Sequence, residues 1–555
     1  MATTRINFGE WLPDQPSIIQ AVSDAVNCYP VANGYAPIPN IEPYPNDQTQ
    51  ISGDDDLLAC FGGKYGGQNT LFAASASKIF KFDTTNNSYV DVSKSGGYSA
   101  SSWDVTQFGS VVIAADGSAK LQAFDLGSST AFADLSADAP IAKFVTVVRD
   151  FVVAANVAGE ESKVYWSDIN NETVWTPSLA AQADAQVLPD GGDITGIAGG
   201  EYGLIFLEKA IYRMTYAGSP FFFQFDAISR SLGCIANGSI AQLSGVTYFL
   251  ADDGFYACNG QTVTPIGTEK VDRWFFDVAA PDQIATGISA TADPERSLII
   301  WAFPTPSGNK LLIYSQKLNR WSYSNINVKS VSYAVTASAS LEALDRLSIT
   351  QGTNTLAGTY TRTTTTVTVT ANNHGLNTNA YVYFDATSGG AADGFYQITK
   401  VDDNSFTFTT VASGSISTSN CTLSLPSIDA ASITLDDRAY AGGTWFLAAV
   451  YGQKVYGFTG DFAEASVTTN DIDIGRSLLT LVKPIVDNGS GDVAVSGRVL
   501  LQDNVTFTDY ASPDSINRVS VRSSGNYHRV KVRPTGSNWR TVVAVDVDVT
   551  KAGDR

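Results

Sequence analysis

Along the first 325 residues, apolar and polar positions repeat as a unit: an apolar run, a small polar turn, a second aromatic-rich run, and often a Trp or Phe shortly after. The clearest copies are Leu298 to Phe303 with Leu311 to Tyr314 and Trp321, and Val152 to Ala154 with Val164 to Trp166 and Trp175. Others pair Leu71 to Ala74 with Ile79 to Phe82, Val111 to Ala114 with Leu121 to Phe124, Leu204 to Leu207 with Ile211 to Tyr216, and Val246 to Leu250 with Gly254 to Ala257. Runs this short, bounded by turn residues, predict β-hairpins. They recur about every 40–50 residues, the period of propeller blades. A seventh hairpin, Thr444 to Val450 with Gln453 to Phe458, follows much later and leaves six or seven blades open. The loop Asn170 to Thr173 ahead of Trp175 reads as a blade turn with an anchoring Trp.

The pattern changes outside the repeat. Residues 1–60 hold seven prolines, from Pro13 to Pro45, around one helical candidate, Ser17 to Ala25, and predict an extended proline-rich arm packed across the body or a neighbour. Residues 61–352 carry the blades. Thr-rich alternation over 353–425, as in Thr361 to Thr370, Tyr381 to Phe384 and Ser405 to Thr410, predicts an inserted small β-barrel or sandwich of about five strands. Residues 426–472 would close the propeller, and 473–555 form a C-terminal β domain with runs at Arg498 to Gln502, Arg518 to Arg522, Tyr527 to Val532 and Thr541 to Val549. The expected fold class is mainly β, a β-propeller carrying an inserted module and a C-terminal β domain.

Composition supports this: 44% of the 555 residues are apolar and 11% aromatic, only 16% are charged, and 47 are Gly. Such a chain has enough to bury and favours strands and turns. No apolar run approaches the roughly 18–20 residues of a membrane helix. The first 17 residues, with Glu10, Asp14 and two prolines, do not read as a secretory signal, so synthesis in the cytoplasm is expected.

Candidate chemistry is sparse. The two histidines, His374 and His528, fall in different domains, which argues against His-rich metal sites and Ser-His-Asp or Cys-His catalysis. Five scattered cysteines, Cys28, Cys60, Cys234, Cys258 and Cys421, read as buried free thiols, with a Cys234–Cys258 bridge the alternative. Asp54 to Asp56 reads as a solvated turn rather than a cation site. Paired carboxylates for glycoside hydrolysis could come from Asp252, Asp253, Glu160, Glu161, Glu201 or Glu208, but among 55 acids their presence discriminates nothing. No catalytic residue, metal or cofactor is assigned. The formal net charge of −20 opposes tight nucleic-acid binding but leaves room for a surface past which nucleic acid slides.

Charge reverses locally: Arg518 to Arg540 holds six bases and no acid. As a strand, Tyr527 to Arg533 puts Arg529, Lys531 and Arg533 on one face and His528, Val530 and Val532 on the other. A cationic row on an acidic protein fits a contact with an acidic neighbouring subunit, or a solvated edge strand kept from aggregation by its charge; the pattern leaves both open.

Three segments carry a resemblance. Phe8-Gly9-Glu10-Trp11-Leu12-Pro13-Asp14-Gln15-Pro16, Ala25 to Pro30 and Gly34-Tyr35-Ala36-Pro37-Ile38-Pro39 resemble the N-terminal arm of tail nozzle (tail tubular, or hub) proteins of short-tailed bacteriophages, podoviruses. The ending, Gly525 to Arg533 with Trp539 and Ala544 to Val547, resembles the same family. His374-Gly375-Leu376, Ala392 to Tyr396 and Asp403 to Thr407 look like a small β module inserted in many phage virion proteins. The resemblance implies a propeller with a platform-like β domain and a structural, non-enzymatic role in the virion tail. It further implies a homohexameric ring below the portal and adaptor, through which double-stranded genomic DNA leaves, with tail fibres or spikes attached nearby and no membrane insertion. Trp11, Pro13, Asp14, Tyr35, Arg529, Lys531, Arg533 and Trp539 are the candidate assembly residues. The rival reading is a receptor-binding or glycan-processing tail spike protein.

Overall fold

The computed structural model describes residues 2–45, 51, 55–84, 88–337, 349, 351–426, 443 and 445–551. Each of the six early hairpins is the central pair of strands in a four-stranded antiparallel unit. Blades 1 to 5 occupy 57–91, 104–134, 142–187, 194–229 and 241–265. Blade 6, Ser289–Asp293, Leu298–Thr305, Gly308–Ser315 and Arg320–Ser324, is the end of a 13-stranded sheet that runs on into the C-terminal domain. Blade 7 combines Ser330–Val335, Trp445–Tyr451 and Lys454–Gly457 with Glu42–Pro43 from the N-terminal arm. Six blades are thus separate sheets, and a seventh ring position is filled by the edge of the larger one.

The second strand of each blade is largely apolar because both its faces are covered by neighbouring blades; every residue of Leu298–Thr305 is buried. Phe72, Ile79, Val112 and Phe124 join blades 1 and 2, and equivalent clusters continue around to Leu57, Leu71, Ala334 and Val450, which join blade 7 to blade 1. At about 1.5–3 kcal/mol for each large side chain buried, these layers are the main favourable term in the ring.

The innermost strands of adjacent blades leave backbone groups unpaired that burial would penalise. A polar side chain answers at every junction. Gln107 accepts from Lys64 N–H at 3.0 Å and donates to its carbonyl at 2.6 Å. Asp104 accepts from Val145 N–H at 3.0 Å, Asn156 donates to Ile194 O at 2.7 Å, and Gln242 donates to Gly199 O at 3.0 Å. Trp301 donates to Ser239 O at 2.9 Å, Ser289 to Val331 O at 3.1 Å, and Ser330 to Leu58 O at 2.8 Å. The 3₁₀ turn Asn237–Ser239 packs against the first strands of blades 4 and 6. Asn237 of this turn also lies close enough to Asp104 of blade 2 to favour its charged form.

The arm is not a separate body. Ala2–Asn7 pairs with Thr541–Lys551, Val22–Val26 with Ser466–Thr469, and Gly34–Pro37 meets Thr541–Lys551 at Tyr35 and Val542. The helix expected over Ser17 to Ala25 is absent. Residues 17–21 form a turn, and Val22–Val26 is a strand because pairing on both sides with distant segments outweighs the local apolar spacing. In the C-terminal domain the long strands Ile472–Asp487, Ser490–Arg498, Val519–Thr535 and Thr541–Lys551 form the platform. The run expected over Arg498 to Gln502 ends as a strand at Arg498, and Arg518 to Arg522 belongs largely to the same strand as Tyr527 to Val532.

The inserted module has seven strands rather than about five. Thr361 to Thr370 divides into Thr355–Thr363 and Thr366–Thr370, turning at Thr364 with φ 57°. The stretch 394–402 bends at buried Ile398, so that Gly394–Gln397 pairs with Tyr381–Asp385 and Thr399–Asp402 with Ser405–Thr409. Tyr396 stacks on Phe408 at 4.1 Å across the seam, bringing the sheet round into a near-closed barrel. Its core, including Tyr360, Val369, Phe384, Phe406 and Leu423, belongs to the module alone.

Candidate assembly surface

The arm docks by sequence-local chemistry. Trp11 is 1% exposed, lies edge-on to Trp274 at 4.8 Å, and packs beside Tyr323. Asp14 supplies what the short helix Asp272–Val278 lacks, since Val271 at its N-cap has no capping side chain. Its two carboxylate oxygens accept from Trp274 N–H at 2.8 Å and Arg273 N–H at 2.9 Å, where the positive end of the helix favours an anion. Pro13 between them is half-buried. Buried Tyr35 donates its hydroxyl to Gly9 O at 3.0 Å.

The basic row has the predicted facing: His528, Val530 and Val532 are buried and the three cations lie on the more open side. Its partners, however, are the chain's own. Arg529 grips Asp471 through two bonds of 3.0 and 2.9 Å, and Arg498 holds the same carboxylate. Burial alone would push Asp471 up, yet hydrogen bonds from Arg529, Ser17 and Arg498 hold it below the usual carboxylate range. Arg533 reaches Asp492 at 2.8 Å and Glu464 at 3.2 Å while lying over the Tyr510 ring. Lys531 lies over Phe507, and Trp539 is buried near Phe462. Seven of the eight candidates are therefore engaged by specific contacts within one chain, and Pro13 is held between two of them. The open surface is the one they hold in place. Asp471 and Arg498, the centre of this cluster, went unnoticed in the sequence; nothing local marks either residue.

The other candidates resolve into structural roles. His374 accepts from Leu376 N–H at 3.1 Å and its other ring nitrogen meets Asp402 O at 3.0 Å, fixing a turn. His528 sits buried between Ser477 and Ser523, and burial keeps it below the ordinary histidine value. All five cysteines are buried free thiols. Trp175 anchors its loop through Glu172 O at 2.7 Å. Glu160 pairs with Lys163 and Glu201 with Arg149. Asp252 and Asp253 do line an open cleft of about 600 Å³ with Ser229, Ser231, Tyr256 and Gln261. There Tyr256 donates to Asp253 at 2.8 Å, and its hydroxyl is pushed up to about 12, first by burial and then by Asp253. Asp54 lies outside the described residues.

No family model matches the chain, and no curated protein matches it. Among solved structures it is similar to an exported protein of Bacteroides fragilis, with 12% identity and a TM-score of 0.25 over 40% of this chain and 70% of that one. It is also similar to the computationally designed Ika8 protein, with 9% identity and a TM-score of 0.29 over 52% of this chain and 93% of that one.

Proposed function

We propose that this protein is a structural virion protein, the tail nozzle of a short-tailed bacteriophage. In this reading six copies form a ring below the portal and adaptor, conduct and gate the outgoing genome, and carry tail fibres or spikes. The observation that carries the reading is where the family-like segments lie. The beginning and the end of the chain, which resemble nozzle proteins in sequence, fold together: Ala2–Asn7 pairs along Thr541–Lys551, and Val22–Val26 lies beside Ser466–Thr469, which meets Val519–Thr535. This unit is continuous with blade 6 through a single sheet. A propeller braced to a platform by shared strands suits a wall that must not deform under load.

In this reading DNA passes through the lumen between subunits. Negative-stain images of the purified protein, alone and mixed with its portal complex, test the proposal. Six-fold rings are expected; monomers in both preparations would sink it, and sugar release from host polysaccharide would favour the spike reading instead.

A further inference from the structure

The buried Arg498–Asp471–Arg529 cluster holds up an apolar surface. Arg498 donates to Leu501 O at 2.6 Å and Asp503 O at 2.9 Å, Leu500 N–H reaches Asp503 at 2.8 Å, and Asn526 fixes Val499 O at 2.9 Å. The turn so built shows Val499, Leu500 and Leu501 to solvent at 59%, 51% and 41% exposure. Asp471 also binds the arm, its N–H donating to Ser17 O at 2.8 Å, and this places Ile18, 56% exposed, at the same cluster. Four exposed aliphatic side chains from two distant segments are thus clamped on one residue, Asp471, through its N–H and its carboxylate. A flexible loop would lose that arrangement, whereas a fixed one lowers the entropy cost of docking.

A second apolar surface stands on the far side of the ring from the platform. Leu179, at 111% exposure, tips the last loop of blade 3, and Phe221, at 79%, tips the outer hairpin of blade 4. They are linked at their bases, where Tyr216 donates to the Gln182 side chain at 3.0 Å and Trp166 to the Gln182 carbonyl at 2.9 Å. Blade 3 lies three positions from blade 6, the greatest separation a seven-position ring allows.

The two surfaces differ in charge. The end of blade 3 that carries the Leu179 loop holds Asp150, Asp168, Glu172 and Asp184, with Arg149 paired to Glu201 beside them. The platform surface carries exposed Asp473 and Asp503 as well as Arg476 and Arg522, the two arginines having no ion-pair partner among the described residues. They stand near the Val499–Leu501 turn because Ser477 pairs with Gly525, whose backbone abuts that of Arg498.

We propose that the Ile18 and Val499–Leu501 surface of one copy seats on the Leu179 and Phe221 surface of the next. Resting on the ring reading above, this names its contact. Because the two patches are different and sit on different parts of the protein, the contact is heterologous and repeats around a closed ring. Apolar centres supply the buried area, and the unpaired Arg476 and Arg522 set against the acidic loop end of blade 3 fix the polarity of the contact.

The test uses the full chain with Leu500→Glu or Leu179→Glu, both at exposed sites, with circular dichroism confirming the fold and native mass spectrometry reading the assembly. Wild type should form rings and each variant should be monomeric. An equal mixture should give dimers, since a Leu500→Glu copy keeps an intact Leu179 surface for the intact platform surface of a Leu179→Glu copy. Rings persisting in either variant, or a mixture that stays monomeric, would overturn the pairing and leave the ring itself standing. Wild type that is monomeric both alone and with the portal complex would remove the ring reading, and this contact with it.

Discussion

Asp104 shows how one residue ties the propeller to pH. Burial pushes its carboxyl up to about 7, only partly offset by the bond it accepts from Val145 N–H and by nearby Asn237. An unfolded Asp titrates near about 3.9. Between those values the folded chain keeps a proton that the unfolded chain releases, so this group's contribution to stability falls as pH rises from about 4 to about 7 and is level above that. Asp104→Asn removes the titration while keeping the shape. Relative to wild type, the variant should therefore gain stability between pH 5 and pH 7.5, by at most about 3 kcal/mol at roughly 1.4 kcal/mol for each pKa unit. Urea denaturation at the two pH values measures the difference, and parallel pH dependence of the two proteins would show that Asp104 does not hold the proton. Neither this role nor that of Asp471 can be read from the sequence, because their partners are far along the chain: Val145 lies 41 residues from Asp104, and Arg529 lies 58 from Asp471.

Among the elements, the legible ones were those whose environment is uniform. The second strand of each blade is covered on both faces, so it reads as a nearly unbroken apolar run. The flanking strands did not announce themselves. Inner strands such as Asp104–Phe108 are half-buried throughout and carry the polar side chains that bridge the blades, while outer strands such as Ala133–Asp134 are short and exposed. The arm misled in a different way, since its apolar residues at 18, 19 and 22 suggest one helical face, yet Ile18 is exposed and Val22 fully buried by strands from elsewhere. The inserted module was legible as a unit because its core is its own. That independence makes a prediction: replacing residues 353–425 with a short Gly-Ser linker should leave the melting temperature of the remaining chain within a few degrees of wild type. Differential scanning calorimetry checks this, and a collapse of the propeller transition would mean the module braces blade 7. Deleting residues 1–45 is a different matter, because it removes Glu42–Pro43 from blade 7 and Trp11 and Tyr35 from the shared core.

At the scale of the whole molecule the strongest constraint on the proposed nozzle is a formal net charge of −20. If several copies line a passage as proposed, its wall would have few clustered cations with which to displace the counterions of DNA. The cationic segment 518–540 does not change this, because Arg518, Arg529 and Arg533 are spent on Asp514, Asp471, Asp492 and Glu464. Binding driven by counterion release weakens steeply with salt, and proteins that bind duplex DNA nonspecifically do so with dissociation constants of roughly 10⁻⁴ to 10⁻⁶ M. Assembled rings should therefore bind a short duplex more weakly than about 10⁻⁴ M even at about 50 mM salt, with little change as salt is raised. Fluorescence anisotropy of a labelled duplex measures both quantities. Micromolar binding that falls steeply with salt would mean that assembly gathers Arg476, Arg522 and their neighbours into the lumen rather than into the contact between copies, and the wall would then grip the genome instead of letting it slide.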